Sequence, residues 1–141
     1  MSLDDLYRET ILDHYSHPRN RGVVEPADVS RDGANPLCGD EVRVTLRARD
    51  GIVEDVRFEG KGCSISQASA SMMTEQVKGR PVADAARLIA AFKAMMHGDA
   101  PADDLDDLAA LQDVRKFPVR VKCATLGWVT LEQALADLAR R

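Results

Sequence analysis

Between residues 41 and 49 apolar and polar side chains alternate: Val42, Val44, Leu46 and Ala48 are separated by Arg43, Thr45, Arg47 and Arg49. A period of two puts the first set on one face of a β-strand and the second on the other, so one face is buried and one is wet. Asp50-Gly51 follows, a pair suited to a tight hairpin turn. Ile52 to Glu59 resumes the pattern with Ile52, Val56 and Phe58 on the apolar side, which predicts the return strand of a β-hairpin. A third strand is expected ahead of Cys38, around Val29.

The remaining periodic segments read as helices. Ser2-Leu3-Asp4-Asp5 offers a capping serine and two acids in a first turn, and Leu3, Leu6, Tyr7 and Ile11 share a face. That helix should stop near His17-Pro18, since a residue before proline avoids helical backbone. Ser66 to Lys78 reads as a helix ended by Gly79. Pro81 to Met96 carries a stripe of Leu88, Ile89, Phe92 and Met96 and closes at His97-Gly98. Leu105, Leu108 and Leu111 mark a short acidic helix, and Phe117 to Lys122 a brief extended approach. A last helix runs from Cys123 through Leu131, Ala134, Leu135 and Leu138. Helix, strands, then helices, with no repeat or interior linker, predict a single α+β domain over residues 1–141.

Composition narrows the picture. Hydrophobic residues make up 45% but aromatics 4%, so the core is expected to be mainly aliphatic. A net charge of -4 disfavours nucleic acid and anionic membranes as partners. No apolar run approaches the roughly 18 residues of a membrane helix, and the N-terminus carries acids where a signal peptide has bases. A cytoplasmic location is expected. Three cysteines, an odd number without an export signal, argue against a disulfide framework.

Each cysteine falls at a predicted boundary. Cys38, in Asn35-Pro36-Leu37-Cys38-Gly39-Asp40, precedes the hairpin's first strand. Cys63, in Gly60-Lys61-Gly62-Cys63-Ser64-Ile65-Ser66, follows its second. A hairpin brings these two ends together, and Cys123, opening the last helix, can dock there. Gly39 allows a sharp turn, so that Cys38 and Asp40 point at one ion. Helix N-termini lower a thiol's pKa, and Arg120 and Lys122 add positive charge. Three thiolates and a carboxylate suit a four-coordinate zinc ion. Against this, the Cys-x-x-Cys pairs of zinc fingers are absent, and cysteines are commonly buried as small hydrophobes. Spacing alone leaves both readings open. His14, His17 and His97 read as capping or packing residues, Ser64, Ser66, Ser69 and Ser71 as small helix-packing residues, and Met72, Met73, Met95 and Met96 as core or adaptable surface. The run Asp103-Asp104-Leu105-Asp106-Asp107 reads as a solvated helix start.

Four segments also carry a resemblance. Asp5 to Tyr15 with His17 to Gly22, Asn35 to Asp40, Gly60 to Ser71, and Arg120 to Trp128 resemble, in order, the N-terminal signature and three ligand motifs of the NifU/IscU family of iron–sulfur cluster assembly proteins. Within that family the chain looks most like the SufU branch. The resemblance implies a three-stranded antiparallel sheet with helices packed against it and a metal site at one tip, a SufE/NifU-like fold. It implies Cys38, Asp40, Cys63 and Cys123 as metal ligands, Zn²⁺ as the metal, and a SufS-like cysteine desulfurase and downstream Suf-type assembly proteins as partners. Iron or a [2Fe–2S] cluster at the same ligands, on an IscU-like scaffold, is the alternative. Lys122 stands where IscU-type scaffolds have histidine, Lys116 to Arg120 departs from their Leu-Pro-Pro-Val-Lys stretch, and the span from Cys63 to Cys123 is longer. These departures favour a zinc-containing sulfurtransferase. Cys38 is the expected persulfide acceptor, because its loop lies between Pro36 and Gly39 and no helix pins it.

Overall fold

The computed structural model describes the backbone of residues 3–141, with side chains throughout except at 3–7, 103, 104 and 106. Helix α1 (Leu3–Ser16) is followed by strands β1 (Val29–Asn35), β2 (Asp40–Arg49) and β3 (Ile52–Lys61). Helices α2 (Ser64–Val77) and α3 (Val82–Met96), a 3₁₀ helix (Asp103–Lys116) and α4 (Pro118–Ala139) complete the chain. The expected serine cap and the contacts of Leu3, Leu6 and Tyr7 lie outside the described residues.

The sheet is antiparallel in the order β1-β2-β3. Val42, Val44 and Leu46 face inward with Val53, Val56 and Phe58, and α2 and α4 cover them. On the outer face Arg43 bridges Asp32 at 2.8 Å and Glu59 at 3.7 Å. Residues 20–28 cross that outer face from the free edge of β3 to β2: Gly22 N–H bonds Phe58 O, Val24 N–H bonds Thr45 Oγ1, and Asp28 N–H bonds Leu46 O.

Three expectations need correction. Ile52 is exposed and Val53 is fully buried. A β-bulge explains it: Arg47 pairs with Asp55 but Ala48 pairs with Val53, so Glu54 is an extra residue and the alternation slips by one. Residues 118–122 are helical rather than extended, because Pro118 at the start of α4 needs no N–H donor and has a pre-set helical φ. Cys123 therefore lies in the second turn of α4, not at its opening. The acidic helix is a 3₁₀ helix that continues to Lys116.

Helix α2 is the centre of the packing, buried without a break from Ile65 to Thr74. Its small residues let α1 and α4 approach closely. Ser69 Oγ donates to Ala124 O at 2.6 Å and accepts from the Trp128 indole at 3.1 Å, tying α2 to α4. Trp128 stacks on Phe92 of α3 with centroids 4.4 Å apart. This frame fixes the first turns of α4 against the end of the sheet where β1, β2 and β3 deliver their motifs.

Candidate metal centre

At this tip β1 hands over to β2 through a turn closed by the pair Asn35 and Asp40. Cys38 N–H bonds Asn35 O at 3.2 Å, and Gly39 adopts φ +69°, a left-handed conformation that side chains disfavour. Cys38 is thus half-buried at the turn's apex. Asp40 is 1% exposed. Its Oδ1 accepts the Cys63 N–H at 2.9 Å, while its Oδ2 is buried with no hydrogen-bond partner among the described residues.

Gly62 makes this cradle possible. A Cβ there would land on Asp40 Oδ1 and Ser66 Oγ. Cys63, half-buried, is the N-cap of α2, with its carbonyl held by Ser66 Oγ at 3.0 Å and no side-chain capping bond of its own. Cys123 is 1% exposed, and its Sγ lies 3.1 Å from Cys38 Sγ. Asn35 Nδ2 donates to the same sulfur at 3.7 Å.

The ligand atoms of Cys38, Asp40 and Cys123 all lie within 4.8 Å of one another. Cys63 falls outside that group, yet its thiol interacts with Cys123. All three cysteines line one cleft of about 450 Å³ with Phe117, Pro118, Val119 and Arg120. Leu37, Phe117 and Val119 are exposed apolar residues around it. Lys122 is exposed and is not among the lining residues.

Burial pushes the Cys123 thiol well above the ordinary thiol range, reinforced by its hydrogen bond with Cys38 and by the nearby Asp40 and Cys63 groups. This corrects the expectation that a helix N-terminus would ease its ionisation, since Cys123 is buried inside α4. A divalent cation fits the surroundings. It would give the orphaned Asp40 oxygen a partner and offset the charge of deprotonated thiols, and three sulfurs with one carboxylate form a zinc-type donor set.

The histidines stay away from the cleft. His14 is buried with Nδ1 2.8 Å from Ser71 Oγ, His17 lies 3.5 Å from Asp13, and His97 Nδ1 meets Lys93 O at 2.7 Å at the end of α3. His14 also lies near Glu75 and Asp107, but Arg19 Nε is 3.7 Å from Glu75 and supplies a cation there. Met72, Met73, Met95 and Met96 are core residues. Asn35 was not singled out by sequence reasoning, because its contact with a sulfur 88 positions away exists only in the folded chain.

A helix-backed three-stranded sheet with cysteines and an aspartate gathered at its tip defines a recognised class. Residues 6–141 match the NifU-like N terminal domain, and the chain belongs to that family. It is 51% identical over 137 residues to the zinc-dependent sulfurtransferase SufU of Bacillus subtilis (strain 168), spanning 96% of this chain and 92% of that protein. It is 40% identical over 136 residues to the iron–sulfur cluster assembly scaffold protein IscU of Thermotoga maritima, covering 96% of each. Among solved structures, the N-terminal part of a nitrogen-fixing NifU-like protein from Brucella abortus superposes with a TM-score of 0.88 at 27% identity, covering 99% of this chain and 98% of that one.

Proposed function

We propose that this chain is an iron–sulfur cluster assembly protein of the SufU type, a zinc-containing carrier that accepts persulfide sulfur from a cysteine desulfurase. The observation that carries the reading is the buried Asp40 Oδ2, left without a protein partner beside the Cys38 and Cys123 sulfurs. The similarity to the B. subtilis sulfurtransferase supports it. Cys38, Asp40, Cys63 and Cys123 would hold the ion. Bound there, Zn²⁺ would keep the thiols deprotonated at neutral pH.

Cys38 is the acceptor in this reading. It sits on a turn, half-buried, whereas Cys123 is sealed in α4 and Cys63 is fixed at the start of α2. Its thiolate attacks the outer sulfur of the donor persulfide. A Cys38–sulfur bond forms, the donor's sulfur–sulfur bond breaks, and the electron pair leaves on the donor thiolate. Two electrons move within the exchange and no oxidant is needed. Arg120 lines the cleft and offers positive charge to the anionic sulfurs. Leu37, Phe117 and Val119 form an apolar rim of the kind that protein partners cover. A SufS-like desulfurase and downstream Suf-type proteins are the proposed partners, and the cytoplasm, where thiols are kept reduced, is the proposed location. No helix among the described residues is long and apolar enough to cross a membrane.

The similarity to the T. maritima scaffold favours a second reading, in which a [2Fe–2S] cluster forms on the same ligands. Elemental analysis separates the two. Untagged protein purified without added iron is expected to be colourless with about one zinc per chain. A brown preparation with stoichiometric iron and labile sulfide supports the scaffold instead.

A further inference from the structure

Away from the cysteines, three elements bring a second group of metal-binding side chains together. His14 of α1, Glu75 of α2 and Asp107 of the 3₁₀ helix each offer one atom, and these atoms lie within 4.8 Å of one another. Glu75 and Asp107 are exposed, while the His14 ring aimed at them is only 3% exposed.

The ring is held in the manner of a ligand. His14 Nδ1 lies 2.8 Å from Ser71 Oγ, which also accepts the Arg19 N–H at 2.9 Å. With the imidazole proton on Nδ1, that hydroxyl accepts both bonds, and Nε2 turns its lone pair toward Glu75 Oε1 at 3.9 Å. This separation is too long for a hydrogen bond, yet it is less than two metal–ligand bonds of about 2.1 Å. The exposed carboxylates have the rotamer freedom to close the remaining gaps. Metal-bound histidines are oriented in this way, the second nitrogen donating to an outer partner. Burial also holds the His14 pKa down, which keeps the ring neutral as a ligand must be.

Charge agrees with the geometry. Arg19 Nη2 hydrogen-bonds Asp13 Oδ2 at 2.6 Å, and its Nε lies 3.7 Å from Oε2, the other oxygen of Glu75. With Arg19 balancing Asp13, the carboxylates of Glu75 and Asp107 retain their negative charge for a divalent ion.

We propose that His14, Glu75 and Asp107 form a second cation site, for a first-row divalent ion of the Mn²⁺ kind, with water completing its coordination. One imidazole and two carboxylates, without sulfur, set it apart from the zinc-type donors at the sheet tip. An ion bound there ties the 3₁₀ helix, which runs on to the cleft residues Phe117 and Arg120, to α1 and α2. The site stands whether or not Cys38 carries sulfur.

Mn²⁺ itself is the probe, because as the weakest binder of its series it does not displace zinc from thiolates. The zinc-loaded protein is titrated with Mn²⁺ while the electron paramagnetic resonance signal of the free ion is followed. Wild type should take up about one Mn²⁺ per chain with a Kd below about 1 mM, the weak end of oxygen-rich cation sites. Glu75→Gln and Asp107→Asn change exposed side chains to near-isosteres, so Tm and zinc content should hold. Each should weaken Mn²⁺ at least about tenfold, the loss that even an outer-shell partner brings. Asp113→Asn, on the same 3₁₀ helix but outside the cluster, should bind as wild type does. Absence of binding in that range, unchanged binding in the two cluster variants, or an equal loss in Asp113→Asn overturns the proposal. Should either cluster variant lose Tm or zinc, NMR of wild type decides. Mn²⁺ that broadens the His14 ring signals ahead of those of His17 and His97 places the ion in the cluster, and broadening without that preference overturns it.

Discussion

His14 is 3% exposed, with Nδ1 against the Ser71 hydroxyl and Nε2 3.9 Å from Glu75. Burial holds its pKa below the ordinary 6.5, helped by the Arg19 charge and opposed by Glu75, Asp13 and Asp107. The unfolded chain thus takes up this proton more readily than the folded one. Stability from a neutral His14 is present above the ordinary 6.5 and is lost as pH falls from there toward the folded value. Tm of wild type and His14→Gln, followed at matched zinc content, should diverge in that window, with wild type losing more on acidification. Parallel curves would show that His14 does not titrate in this way. At the residue scale the sequence is most readable where chemistry is concentrated: Cys38, Asp40, Cys63 and Cys123 stand in compact motifs. The orphaned Asp40 oxygen and the raised Cys123 thiol depend on tertiary burial, which no local pattern encodes.

Elements set the angles at which those residues meet. The alternation of β2 was legible because its inner face is uniformly apolar, but the bulge at Arg47/Ala48 is invisible to a period-two count. Likewise Val119 and Val121 favour strand on propensity, while Pro118 and docking on the sheet make them helical. Two glycines at the tip separate backbone freedom from space. Gly39 has φ +69° and open surroundings, so Gly39→Ala should cost about 1 kcal/mol of stability and leave zinc bound. Gly62→Ala places a methyl on Asp40 Oδ1 and Ser66 Oγ, so it should cost about 2 kcal/mol and release zinc as well. Tm and zinc stoichiometry of the two variants check the distinction, and full zinc in a stable Gly62→Ala protein would argue against the cradle.

Across the whole molecule, segments far apart in sequence converge because the hairpin returns Cys63 to Asp40 and α4 docks beside them. The α+β class and the three-stranded antiparallel sheet followed from periodicity and from the family's motifs, and similarity to known NifU-like structures agrees with both. In the proposed function this convergence makes Cys38 a sulfur acceptor and the other groups its support. Intact mass and peptide mapping after incubation with a cysteine desulfurase and cysteine decide whether it does. A gain of about 32 Da, one sulfur atom, is expected at Cys38 and absent from a folded Cys38→Ser protein that no longer stimulates the desulfurase. Sulfur found only on Cys63 or Cys123, or full stimulation by Cys38→Ser, would contradict it.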